Sequence, residues 1–189
     1  MILIDLKKYR NLLFLFLTAI VIIFASNSSK WVAKLLYPFY YQELIFQYAN
    51  NYDIDPYLIA AIIRTESKFY EKAQSRKNAR GLMQIAPITG EWASKELAFA
   101  EYDEEMLFIP ELNIMIGCWY LDRLRLEFKN NLPLMLAAYN GGSGNVRKWL
   151  KDPRYSEDGQ TLRDIPFNET KAYVDKVLNS YKIYNIIYR

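Results

Sequence analysis

The stretch AAIIRTESKF, residues 60–69, places an acidic side chain on an apolar helical stripe. At 100° per residue, three later side chains fall within about 60° of Ile59: Ile62, Ile63 and Glu66. An ionised carboxylate on a buried stripe costs several kcal/mol unless it is paired or protonated. Glu66 is therefore either a surface or semi-buried carboxylate paired with a basic neighbour or an acid retained for chemistry.

The composition indicates one folded domain with a short extension. The 189 residues are 52% hydrophobic and 16% aromatic, which argues against disorder. The net charge is +3, and the first 25 residues supply +2 of it, from three basic residues against one acid. The remainder carries only about +1 with no concentrated basic face, so no nucleic-acid partner is expected.

Several kinds of catalytic site are disfavoured because the chain has no histidine. Ser-His-Asp and Cys-His sites are excluded, and so are most catalytic zinc sites. No calcium-loop pattern is present either, so we expect no metal and no cofactor. The single cysteine, Cys118, cannot form an internal disulfide, and its apolar neighbours predict a buried small side chain.

The N-terminus has the pattern of a targeting or anchoring segment. A basic stretch precedes an uncharged apolar run over residues 12–25, which as a helix spans about 21 Å against a membrane core of about 30 Å. That length suits a signal peptide, but Ile23 is too large for a good cleavage site at Ala25. Trp31 and Lys34 suit an interfacial anchor.

We therefore expect residues 1–29 to be an uncleaved single-pass membrane anchor, with secretion after signal cleavage as the alternative. A buried core helix is the third interpretation of this run. Residues 30–40 would be a juxtamembrane connector ending at Pro38. Residues 41–189 would form a monomeric domain on the outer side of the membrane.

Helical patterns dominate the rest of the chain. Asp55 and Pro56 form an N-cap and first helical position, and they open the helix that carries Glu66. Residues 70–90 have loop composition, with room for a small hairpin. Further helices are predicted over residues 41–50, 91–99, 110–128, 132–139, 145–150 and 169–185. The predicted fold is mostly α, or α+β at most if the hairpin forms.

Four blocks of sequence, in order, resemble a known family. The first is ESKFYEKAQSRKNARGLMQIAPITG at 66–90, followed by NIMIGCWYLDRL at 113–124, LAAYNGGSGNVRKWL at 136–150 and IPFNETKAYVDKVL at 165–178. Together they resemble the lytic transglycosylases of the soluble-lytic-transglycosylase (SLT) type, which are lysozyme-like. The resemblance covers about residues 45–180, and it implies peptidoglycan glycan strands as substrate.

The resemblance also implies a role for each matching residue. Glu66 would be the sole catalytic acid and base. The substrate-binding residues would be Ser67, Ser75, Met83, Gln84, Tyr139, Asn140 and Glu169. Of these, Ser75, Met83 and Gln84 would position N-acetyl groups. Tyr139 and Asn140 would lie near the scissile bond, and Glu169 would form the far wall of the groove.

Structural explanations exist for several of these residues. Met83 suits a core, Tyr139 is one of 16 tyrosines, and Glu169 suits the first turn of a helix. Asn140 with its two following glycines suits a helix stop.

The sequence departs from the family pattern at Asn78, Gly141, Ser143 and Lys171, none of which is the proposed acid. Asn78 replaces a usual glycine, and asparagine tolerates a left-handed backbone.

Three activities remain compatible with the sequence. No second catalytic carboxylate occupies a motif position, so the resemblance implies substrate-assisted cleavage that forms a 1,6-anhydromuramoyl end. A goose-type lysozyme-like hydrolase would use the same Glu66 but add water. A non-catalytic, membrane-tethered wall-binding module is the alternative from another class, although binding alone does not need a buried acid.

Overall fold

The structure, a computed structural model, describes residues 14–18 and 31–189 and divides into two units, residues 1–38 and residues 39–189. In the first unit, residues 14–18 and 31–36 are helical. The predicted anchor run lies outside the described residues except for 14–18. Among the described residues, no helix is both long enough and apolar enough to cross a membrane.

The second unit is built from seven α-helices and one 3₁₀ helix. They are α1 (Gln42–Tyr52), α2 (Pro56–Glu66), α3 (Pro87–Glu96), the 3₁₀ helix η1 (Glu104–Phe108), α4 (Pro110–Glu127), α5 (Leu132–Gly141), α6 (Ser143–Lys151) and α7 (Asn168–Tyr188). Four of these helices have proline in their first turn, where no intrahelical N–H bond is lost. The prediction of a mostly α fold is confirmed.

The start of α2 follows the sequence prediction, because the Asp55 carboxylate accepts a hydrogen bond from the backbone N–H of Tyr57 at 2.8 Å. The prediction for α3 was wrong at its start, since Pro87 opens that helix four residues before residue 91. The small hairpin is also absent. The described residues between α2 and α3 form turns with isolated bridges, Gln74 to Arg80 and Arg80 to Ile85, and no strand.

The core forms around α2, whose residues 59–63 are all fully buried. Helix α7 packs against α2 and α5, and α1 packs against α2 and α4. Burying a large aliphatic side chain contributes about 1.5–3 kcal/mol to the free energy of folding, so the burial of this helix stabilises the domain. The last residue of α2 is Glu66, and its position is therefore set by the core.

The loop that follows Arg80 is held by one buried side chain, Asn113 of α4. Its Oδ1 accepts from the Met83 N–H at 2.7 Å, and its Nδ2 donates to the carbonyls of Arg80 at 2.9 Å and Leu107 at 2.7 Å. Gly81 has φ 76° and lies against this side chain, so a Cβ there would overlap Asn113.

Candidate active site

A cleft of about 590 Å³ lies at the end of α2, and it brings together most of the residues that the sequence singled out. Six of its lining residues were predicted: Glu66, Ser75, Gln84, Tyr139, Asn140 and Glu169. They come from the end of α2, the loop between α2 and α3, the end of α5 and the first turn of α7. Residues far apart in sequence therefore converge on one cavity.

Glu66 has an environment suited to a general acid. It is half-buried at the end of α2, and burial raises the pKa of its carboxyl from 4.5 to about 7. An acid with this pKa is partly protonated near neutrality and can donate a proton to a glycosidic oxygen. No described basic side chain forms an ion pair with Glu66, so the structure does not show the alternative of a carboxylate held by a basic neighbour.

Tyr173 of α7 is the polar side chain that acts on the Glu66 carboxyl. Hydrogen bonding from its hydroxyl lowers the pKa of Glu66, which partly opposes the effect of burial. The same hydroxyl is buried and has no partner within full hydrogen-bond geometry, so the contact is longer or less aligned than an ideal bond. The pKa of Tyr173 is raised by burial and then by the charge of Glu66, so this hydroxyl stays protonated.

Tyr139 is fixed by the loop it faces. Its hydroxyl donates to the backbone carbonyl of Met83 at 2.8 Å, and its ring lies 5.6 Å from that of Tyr120. Burial and the nearby charge of Glu66 raise the pKa of the Tyr139 phenol well above its usual value. Tyr139 therefore presents a neutral ring to the cleft.

Ser75 and Gln84 line the cleft, and their side chains also form hydrogen bonds within the loop between α2 and α3. The Ser75 hydroxyl oxygen accepts from the backbone N–H groups of Lys77 at 3.2 Å and Ala79 at 3.0 Å, which leaves its O–H as a donor. Gln84 has φ 49°, and its Nε2 donates to the carbonyls of Ala73 and Gly81, both at 3.0 Å. Its side-chain oxygen is the group left to accept from a ligand.

Asn140 and Glu169 occupy the side of the cleft where α5 meets α7. Thr170 donates its hydroxyl to Asn140 Oδ1 at 2.8 Å and so orients the amide. Asn140 and Glu169 also line a second cavity of about 350 Å³, which has Lys77 as a third shared residue. The cleft therefore has a side branch at this end.

Two predicted residues do not line the cleft. Met83 is fully buried, and its sulfur lies where a Cβ on Gly117 would be, so its side chain belongs to the core. The Ser67 hydroxyl donates to the Ile63 carbonyl at 3.2 Å and closes the end of α2. These positions favour supporting roles over the substrate contacts expected for them.

The sequence did not single out three features that the structure brings to the site. Tyr173 and Asn113 both lie at matching positions of the quoted blocks, which is a signal that could have found them, but neither was assigned a role. Arg76 and Lys77 also line the cleft. Only their position directly before the unusual Asn78 could have drawn attention to them.

Comparison with known proteins agrees with this geometry. Residues 43–161 match the family described as the transglycosylase SLT domain. The chain belongs to this SLT family. It is 38% identical over 144 residues to the soluble lytic murein transglycosylase of Salmonella typhimurium, covering 75% of the chain and 22% of that relative. The membrane-bound lytic murein transglycosylase C of Edwardsiella ictaluri is 29% identical over 179 residues, covering 78% and 47%.

Solved structures show the same fold for the SLT domain. An inactive mutant of lytic transglycosylase Slt from Pseudomonas aeruginosa matches with a TM-score of 0.71 at 33% identity, over 81% of this chain and 25% of that one. The 70 kDa soluble lytic transglycosylase of Escherichia coli matches with a TM-score of 0.72 at 33% identity, over 82% and 25%. The chain spans about a quarter of the length of these relatives. The lysozyme-like fold is confirmed.

Proposed function

We propose that this SLT domain is a peptidoglycan lytic transglycosylase with Glu66 as its single general acid and base. The bond cleaved is the β-1,4 bond between N-acetylmuramic acid and N-acetylglucosamine. The observation that carries the proposal is a carboxyl with a pKa raised to about 7 at the wall of a cleft of about 590 Å³. Family membership supports the same activity.

In the proposed reaction, Glu66 gives its proton to the glycosidic oxygen while the bond from muramoyl C1 to that oxygen breaks. The acetamido oxygen of the substrate stabilises the positive charge at C1. The Glu66 carboxylate then takes the proton of the muramoyl C6 hydroxyl, and O6 bonds to C1. Glu66 ends protonated, the product is a 1,6-anhydromuramoyl end, and no water is consumed.

A hydrolase is the second candidate, and one observation favours it. Glu169 is the other carboxylate among the described residues that line the cleft. It is exposed in the first turn of α7, where it could orient a water molecule. In the hydrolase a reducing end replaces the anhydro end, and Glu169→Gln would abolish its formation.

Mass spectrometry of the fragments released from purified peptidoglycan separates these functions. We expect the full chain to release anhydromuramoyl ends and Glu66→Gln to release almost none. Reducing ends from the wild type would instead establish the hydrolase. Binding of the wall with no release by either protein would contradict both and favour a wall-binding module.

We also propose that residues 12–25 anchor the protein in the cell membrane, with the SLT domain on the extracytoplasmic side. The apolar run and its basic flank support this, and the names of the relatives include both soluble and membrane-bound enzymes. Membrane fractionation with and without external protease tests it. A full-length protein recovered without detergent would contradict the anchor, and a shortened soluble one would favour the cleaved signal.

A further inference from the structure

Two adjacent cations, Arg76 and Lys77, line the cleft that holds Glu66. Both side chains are exposed, and neither forms an ion pair or side-chain hydrogen bond with any described residue. Most other arginines differ in this respect, because at least seven of the nine in the described part of the chain pair with a carboxylate. Arg76 is thus an unusual arginine in its lack of a partner.

None of the described acidic side chains forms an ion pair with Arg76 or Lys77. Arg80 is buried and forms ion pairs with Glu104 at 2.9 Å and Glu105 at 2.8 Å. Glu169 lines the same cleft but lies beyond ion-pair distance of Arg76 and Lys77. Arg76 and Lys77 are therefore unpaired at the cleft, although the carboxyl groups of Glu66 and Glu169 line the same cleft.

The turn that carries these cations is held in place without their side chains. The Ser75 hydroxyl accepts two backbone N–H groups, and the Ser75 N–H donates to the Ala79 carbonyl at 2.9 Å. Asn78 has φ 64°, and its Oδ1 accepts from Gln74 at 2.6 Å and Arg80 at 3.3 Å. Because the turn is already ordered, binding a ligand there requires little further loss of backbone entropy.

We propose that Arg76 and Lys77 bind carboxylates of the peptide stem on the muramic acid residue of the substrate. The inference rests on the proposed function, since it requires a muramic acid residue of the substrate to bind next to Glu66. Lys77 and Glu169 both border the side branch of about 350 Å³, which offers the stem a path. The cations make the enzyme select strands whose stems carry free carboxylates.

The test compares two substrates of nearly equal size. One is soluble, uncrosslinked peptidoglycan strands free of phosphate polymers; the other is the same strands with stem carboxylates converted to amides by carbodiimide and ammonia. Exposed charge pairs contribute about 0.2–1 kcal/mol each, so two pairs predict that the full chain turns over native strands about two- to thirtyfold faster in kcat/KM.

The double variant Arg76→Gln/Lys77→Gln should bring the ratio of native to amidated rates to about one, and Arg76→Glu/Lys77→Glu should invert it. The matched control is Lys176→Gln/Lys182→Gln, which removes the same charge from exposed positions of α7 and should keep the wild-type ratio. High salt should lower the wild-type ratio and leave that of the neutral double variant unchanged.

A wild-type ratio near one, or an unchanged ratio in the neutral double variant, would overturn the proposal. Either result with anhydro products still released would leave the proposed function standing. If the wild type releases no fragments from either substrate, it is the proposed function that fails, and the inference fails with it.

Discussion

Replacing Glu66 by glutamine should make the protein more stable at alkaline pH, although it removes the proposed acid. Glutamine has nearly the same shape and is neutral at every pH, whereas burial raises the pKa of Glu66 from 4.5 to about 7. The folded protein thus binds this proton more tightly than the unfolded chain does. The stabilisation by the proton is complete below about pH 4.5 and is lost as the pH rises through 7.

The size of the effect follows from the shift in pKa. Each pKa unit corresponds to about 1.4 kcal/mol, so the wild type should lose about 3 kcal/mol relative to Glu66→Gln between about pH 4.5 and pH 8. All other titrating groups are common to both proteins and largely cancel in the difference. The variant and the wild type should therefore differ little at pH 4.5 and most at pH 8.

Urea denaturation of the full chain at pH 5, 6, 7 and 8, followed by tryptophan fluorescence, measures this difference. Glu96→Gln makes the same chemical change at an exposed helical position, and its effect should stay within about 0.5 kcal/mol at each pH. A difference between Glu66→Gln and wild type that does not grow with pH would refute the desolvated acid. A variant less stable than wild type at pH 8 would refute it as well.

Three further substitutions test the support around the acid. Tyr173→Phe removes the hydroxyl whose hydrogen bonding lowers the pKa of Glu66, so the alkaline fall of kcat/KM should move to higher pH, with a rate loss of about three- to tenfold; an unchanged pH profile would contradict this role. Asn113→Ala leaves the Met83 N–H and the Leu107 carbonyl without partners and should lower the free energy of unfolding by at least about 2 kcal/mol; a loss under 1 kcal/mol in urea denaturation would contradict it. Gly117→Ala places a methyl group on the Met83 sulfur and should cost about 1–3 kcal/mol by the same assay, and an unchanged midpoint would show that the core there is looser than the structure indicates.

Much of the fold was predictable because its signals are local. Asp55 and Pro56 mark the start of α2, and Pro110 marks the start of α4, through interactions within one helical turn. The start of α3 was placed too late because Pro87 was interpreted as a loop residue, whereas it is the first residue of the helix. The hairpin was wrong because the composition of residues 70–90 suits turns and short strands equally.

For the site, the sequence by itself determined that an acid ends an apolar helix. It also determined that the chain has no histidine that could act as a general acid or base beside it. It also supplied the motif order from which six residues of the cleft were expected. Only the tertiary structure decided the state of that acid, because desolvation depends on groups from α5 and α7 that converge on α2. The same packing moved Met83 into the core, brought Tyr173 to the acid and left Arg76 without a partner at the cleft. Sequence spacing encodes neighbours along one helix, whereas burial and charge pairing are set by neighbours across the fold.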